Sequence, residues 1–326
     1  MLPEKAIDVH AHFLPRAYRD ALRSNGFRLL DGGMPIPEWS AQQALDLMDE
    51  VGLTAAMLSV SSPFATTVAG ADAASLCRKV NDYAAELKSR YPTRFGALAM
   101  LPVPDVAASL DEIGRALDDL ALDGVALPTN AAGLYLGDPA LAPVLAALDE
   151  RQATVFVHPT SPCCFEKFGL ALPAPMIEFP FDTTRSMISL LYSSASRRYE
   201  GIKFIFSHGG GTMPFLAPRI ARVGASPVTG DRSRPVQESL DRLRSWHYDL
   251  ASVTTPAQVE ALRTMVPASQ ILFGTDYPFS PAPSVRLAVQ AFPTLPFPSE
   301  DRRAILHGNA ARLFPPFAKS CGCTID

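Results

Sequence analysis

Short apolar runs alternate with longer amphipathic stretches along the whole chain, and this alternation constrains the fold more than any other feature. The runs are Ala6 to His12, Ala55 to Val60, Phe95 to Leu101, Gly124 to Leu127, Thr154 to His158, Lys203 to Ser207, His247 to Leu250 and Ile271 to Phe273. Helical periodicity fills the intervals, as in VAASLDEIGRALDDLAL and PAQVEALRTMV, and a last helix is expected over Glu300 to Phe314. Strands alternating with helices imply βα units and a parallel sheet. Eight such units predict a closed (β/α)₈ TIM barrel. A doubly wound open sheet would require a glycine-rich phosphate turn after the first strand, and none is present there. The 326 residues are accordingly expected to form a single domain, 1–326, with two long rim connections at about 13–39 and 159–181. The 30 prolines cluster in connections such as MPIPEW and FPTLPFPSE, which reads as rigid loops.

The polar residues fall into a pattern on this map. His10 and His12 lie two apart on the first strand and face the same side. His158 ends the fifth strand, His208 follows the sixth, and Asp276 follows the eighth in FGTDYPF. All five therefore sit at C-terminal strand ends, where barrel enzymes build their sites. A single histidine at such a place is usually a hydrogen-bonded structural residue; the joint placement of five points to a site. Imidazoles with a carboxylate suit zinc, manganese or iron and leave a coordination position for water or substrate. His247 opens the seventh strand at the opposite end and reads as structural, as does His307 on the last helix. The run His208-Gly209-Gly210-Gly211 reads as a tight turn close to the site. The C-terminal Cys321-Gly-Cys323 is too near the end to read as a metal site.

Other classes are disfavoured. The formal net charge is −4, and no Lys/Arg run offers a phosphate-binding stripe, so no nucleic-acid partner is expected. No apolar run is long enough to cross a bilayer, and the N-terminus lacks an export segment. Five cysteines without zinc-ribbon spacing read as free thiols, and a cytoplasmic location is expected.

The segments IDVHAHFLP, VFVHPTSP, KFIFSHGGGTMPF, FGTDYPF and HGNAARLF, in this order, resemble the amidohydrolase superfamily, in its branch related to aminocarboxymuconate semialdehyde decarboxylase. The resemblance implies that His10, His12, His158 and Asp276 bind one divalent metal, zinc or manganese. It sets His208 beside the metal as a proton-transfer residue, a distinction that spacing does not make. It also implies a homodimer. DGGMPIPEWSAQQALDLMDEVG and PAPMIEFPFDTTRSMISLL look most like enzymes resembling 6-methylsalicylate decarboxylase. Some resorcylate-type members carry glutamate where His10 stands. Members acting on the acyclic semialdehyde place an arginine just before the Trp39 region, where this chain has none.

The resemblance thus implies a metal-dependent decarboxylase of a small aromatic 2-hydroxybenzoate-type acid, working by ring-carbon protonation and loss of CO₂. Asp276 is the first candidate for the proton donor and His208 the alternative. The same site chemistry also serves a lactone or amide hydrolase or a hydratase with metal-activated water. A barrel that has lost catalysis and serves as a scaffold would show eroded ligand positions, whereas all five polar positions are intact. An aromatic acid needs apolar walls with few polar anchors. Phe64, Phe181, Phe279 and Trp39, with Phe165, Phe168 and Tyr277, follow strands or sit in the long loops and are candidates for those walls. Arg185 and Arg219 are candidates for a carboxylate anchor.

Overall fold

A computed structural model describes residues 2, 5–30, 33–68, 70–163, 165–168 and 172–318. Eight parallel strands form one sheet in sequential order: β1 (Ala6–His12), β2 (Leu53–Ser59), β3 (Phe95–Met100), β4 (Gly124–Pro128), β7 (Thr154–His158), β8 (Lys203–Phe206), β9 (His247–Asp249) and β10 (Ile271–Leu272). A two-stranded antiparallel hairpin, β5 (Asn130–Ala131) and β6 (Leu134–Tyr135), follows β4. Strands covered on both faces read as continuous apolar runs, and β1, β3, β4 and β7 are buried at every residue.

The sheet closes into a barrel where the chain beyond β10 meets β1. Val9 N donates to Phe273 O (3.0 Å), Asp276 N to His10 O (2.7 Å) and His12 N to Tyr277 O (2.7 Å). Asp8 reinforces this seam: its carboxylate accepts from His10 N (3.0 Å), Thr275 N (3.0 Å) and Thr275 Oγ1 (2.6 Å).

The helices are α1 (Arg16–Ser24), α2 (Ala41–Val51), α3 (Ala71–Arg90), α4 (Val106–Ile113), α5 (Ala142–Glu150), α6 (Glu178–Leu191), α7 (Ala195–Arg198), α8 (Met213–Gly224), α9 (Val236–Ser245), α10 (Pro256–Met265), α11 (Ala282–Ala291), α12 (Ser299–Arg303) and α13 (Asn309–Leu313). Local signals fix several ends. Ser40 Oγ accepts from Gln43 N at the start of α2, and Gly52 closes it in the left-handed region at φ 87°. Thr255 and Gln258 form a capping box at α10, with Pro256 in the first turn.

The structure adds detail to two expectations. The long connection at 13–39 begins with a packed helix, α1, whose Tyr18 is buried and donates to Phe64 O (3.1 Å). The closing helix expected over 300–314 is present as a continuous helical run from Ser299 to Leu313, with a π-helical turn at Ala304–Gly308 between α12 and α13. Cys77 and Cys163 carry free thiols; Cys164, Cys321 and Cys323 lie outside the described residues. No helix among the described residues is long and apolar enough to cross a membrane.

Asn81 ties α3 to the end of β3. Its side chain accepts from Met100 N (2.9 Å) and donates to Met100 O (3.0 Å) and to Glu112 Oε1 (2.6 Å), all within the buried interior. Asn81→Ala leaves the Met100 amide without its acceptor in a site water does not reach. A loss of about 1–3 kcal/mol is expected, read as a lower urea midpoint with an unchanged slope. A midpoint equal to wild type would show that this tie contributes nothing.

Candidate metal centre

β1 is the strand on which the site is built. His10 and His12, one pleat apart, turn their rings to the same side, and both are fully buried. β7 delivers His158 from across the barrel, and the seam delivers Asp276. One donor atom from each of His10, His12, His158 and Asp276 falls within 4.8 Å of the other three. His10 Nε2 and His12 Nε2 are 3.0 Å apart. Asp276 Oδ1 lies 3.3 Å from the first and 3.1 Å from the second, yet is buried without a well-directed hydrogen bond. Three lone-pair-bearing atoms thus converge on one point, an arrangement that a divalent cation fits and that protons serve poorly.

The electrostatics agree. Burial pulls the His10 imidazole down, but the Asp249 and Asp276 carboxylates outweigh it and push it up to about 10. Burial holds His12 below the ordinary imidazole value and His158 well below it. Burial would raise the Asp276 carboxyl, but His10, His12 and His208 outweigh it and hold it well below the usual carboxylate range. The cluster therefore favours a positive charge at its centre.

His208 stands beside this group. Its Nε2 lies 3.4 Å from Asp276 Oδ2, on the side away from the oxygen that faces His10 and His12. The glycines after it permit close packing, as their sequence suggested. Gly209, Gly210 and Gly211 have φ of 64°, 77° and 65°, and a Cβ on Gly211 would lie 2.1 Å from Pro180 O. Non-glycine residues with positive φ also gather here: Phe64, His208, Ser252 and Asp276.

A cavity of about 260 Å³ opens over the centre. Its walls are largely apolar, with Leu30, Met34, Phe179 and Phe279 among them, and its polar lining residues are Ser61, Ser62, Ser252 and Ser280 beside His158, His208 and Asp276. Among the described residues no lysine or arginine lines it.

The expected substrate contacts divide accordingly. Phe279 lines the cavity. Phe64 is buried behind it, with its ring 6.3 Å from that of His158. Trp39 is buried against Phe13. Phe181 is turned outward, 39% exposed. Arg185 does not reach the cavity: it faces Glu178 (3.8 Å) and Asp182 (3.9 Å) on α6. Asp182 is itself buried, accepting from Tyr135 Oη (2.6 Å), Asn130 Nδ2 (2.8 Å) and the Thr129 hydroxyl, which draws that face of α6 toward the rim of β4. Arg219 is exposed on α8. Phe165 and Tyr277 are half-buried and do not line the cavity; the side chain of Phe168 lies outside the described residues. His247 is half-buried at the far end of β9, where burial lowers its imidazole to about 4.

Sequence reasoning missed Asp249. It is fully buried, and its Oδ2 lies 3.0 Å from His10 Nδ1. The signal was present: it is two residues beyond His247, on the same face and at the C-terminal end of its strand.

The donor set predicts that dialysed protein takes up one equivalent of Mn(II) or Zn(II), and that His158→Ala lowers the affinity by more than the ~10–100-fold that loss of an outer partner costs. Titration calorimetry with elemental analysis measures both. Undiminished affinity in His158→Ala would remove His158 from the set.

The comparisons with known proteins agree with the architecture. The amidohydrolase family model matches residues 7–315. A 6-methylsalicylic acid decarboxylase from Aspergillus aculeatus is 36% identical over 323 residues, covering 95% of this chain and 96% of that one. A solved structure described as an amidohydrolase II superposes with a TM-score of 0.88 at 32% identity, covering 95% of this chain and 99% of that one. A dihydroxybenzoic acid decarboxylase from Polaromonas sp., solved with manganese and the inhibitor 2-nitroresorcinol, superposes with a TM-score of 0.78 at 23% identity, covering 97% of each chain. With the family model spanning nearly its whole length and a relative above 30% identity, this chain belongs to the amidohydrolase family.

Proposed function

We propose that this protein is a metal-dependent, non-oxidative decarboxylase of a small aromatic 2-hydroxybenzoate-type acid such as 6-methylsalicylate. The observation that carries the reading is an apolar cavity with no cationic side chain among its described lining residues, set directly over a cluster of metal-type donors. Support comes also from the relative named for 6-methylsalicylic acid decarboxylation. His10, His12, His158 and Asp276 would hold the cation. When bound, a divalent metal neutralises and orients a chelating carboxylate and phenolate. Manganese is the ion in the Polaromonas structure, and zinc suits the same donors. The chain is proposed to act as one domain, as a cytoplasmic homodimer with no nucleic-acid or membrane partner.

The protein's own groups divide the remaining work. Phe179, Phe279, Leu30 and Met34 line the cavity and would supply the apolar walls around the aromatic ring. A proton must reach the ring carbon that bears the carboxylate. The C–C bond then breaks, its electron pair restores the aromatic ring, and CO₂ leaves. Asp276 and His208 are the two candidate donors, and both line the cavity. Against its burial, the Asp276 carboxyl is held well below the usual carboxylate range by His10, His12 and His208, which suits a metal ligand. The His208 ring lines the cavity and can pass a proton over Asp276 Oδ2.

Metal-loaded enzyme given 6-methylsalicylate is expected to release CO₂ and 3-methylphenol in equal amounts. Absence of both, alongside turnover of a lactone, would replace this reading with hydrolysis. His208→Ala is expected to lower kcat by about 10²–10⁴-fold while metal content stays at one equivalent. An unchanged kcat would exclude His208 as proton carrier.

A further inference from the structure

Asp249 touches two site histidines through different atoms. One oxygen, Oδ2, faces the His10 ring nitrogen Nδ1 at 3.0 Å. The other, Oδ1, accepts from the backbone N–H of His208 (3.1 Å) and of Ala251 (2.9 Å). Both Asp249 and His10 are fully buried, so water cannot replace either contact.

Packing holds the pair in register. A Cβ on Gly274 would lie 2.8 Å from His10 Cβ and 3.2 Å from Asp249 Cβ, so bare backbone is required against them. On another side Phe156 meets the His10 ring edge to face, with centroids 4.9 Å apart. The imidazole has little freedom to turn.

From this geometry we propose that Asp249 is a positioning residue that makes His10 present Nε2 to the metal and seats His208 beside it. The proposal rests on the metal-site reading above. A neutral imidazole has one N–H and one lone pair. A carboxylate facing Nδ1 accepts that N–H and leaves the lone pair on Nε2, the nitrogen that points at His12 Nε2 and Asp276 Oδ1. The second oxygen uses the same rigid group to fix the backbone of His208, whose φ of 54° needs such support. An amide cannot do both, because it has one acceptor atom. If its oxygen takes the two backbone N–H groups, its NH₂ faces Nδ1, the His10 proton moves to Nε2, and the metal loses a ligand. If its oxygen faces His10, two backbone donors meet an NH₂ and His208 is displaced.

The test is a double-mutant cycle on Mn(II) affinity, measured by chelator competition, across wild type, Asp249→Asn, His10→Ala and the double variant. Asp249→Asn is expected to weaken binding about 10–100-fold. In the His10→Ala background the same change is expected to have almost no effect, since it acts through His10. A general structural role would instead weaken both backgrounds equally and overturn the assignment, as would full Mn(II) affinity in Asp249→Asn. Failure of the wild type to bind Mn(II) or Zn(II) would sink the metal reading itself, a separate outcome. A measurement without any variant covers the case of a poorly folding Asp249→Asn. In zinc-loaded protein labelled with ¹⁵N-histidine, the His10 ring proton should reside on Nδ1 and exchange slowly with water. A proton on Nε2 would overturn the proposal.

Discussion

The structure depends on the seam where the last barrel strand returns to the first. Three backbone hydrogen bonds close it, and two of them involve His10 O and His12 N, the main-chain groups of the residues whose rings define the metal centre. The amide of Asp276 makes one of these bonds while its carboxylate faces the same two rings. Closure of the sheet and convergence of the donors are therefore one event. Asp8 binds both sides of the seam through three hydrogen bonds, and burial pushes its carboxyl up to about 7 against them. That is the expected tension when a charge is placed where only backbone amides and a hydroxyl can satisfy it.

Around this seam the barrel gathers features that an ordinary core avoids. Asp8 and Asp249 are buried with His10, His12 and His158, and Asp276 stands beside them at the cavity floor. His208, Ser252 and Asp276 border the cavity in backbone conformations that cost side-chain-bearing residues energy. Such costs persist only where the surrounding structure enforces them. Here the enforcing elements are β1, β7, β9 and the glycine-rich turn after β8, whose Gly210 packs against the Tyr248 ring.

Much of this was legible in the sequence because it follows from periodicity. Runs such as TVFVH and KFIFS are too apolar and too short for anything but buried strands, and the structure places them at β7 and β8. The alignment of His10, His12, His158, His208 and Asp276 with strand ends followed from that map alone. Side-chain direction beyond the strands was not legible. Arg185 sits on a helix whose facing is decided by Asp182 and its three donors, one just after β4 and two in the hairpin that follows, which no local pattern reveals. Trp39 looked like a rim aromatic, but Phe13 and the buried helix α1 give it a place in the core. Asp249 stands at a strand end, two residues beyond His247, but its contact with His10 appears only when the barrel brings β9 and β1 together.

The lack of lysine and arginine among the described wall residues bears on turnover. In the proposed reaction the entering acid is held by charge only at the floor, since no described lining residue offers a second ionic contact. Loss of CO₂ removes the very group that was gripped there. The phenol left behind keeps one oxygen and an apolar ring, so the site's hold weakens at the moment chemistry is complete. A wall carrying an arginine would have bound the acid more tightly but would also have retained any product with an anionic substituent. In the proposed reaction, clearing of the site would follow from what the described walls lack.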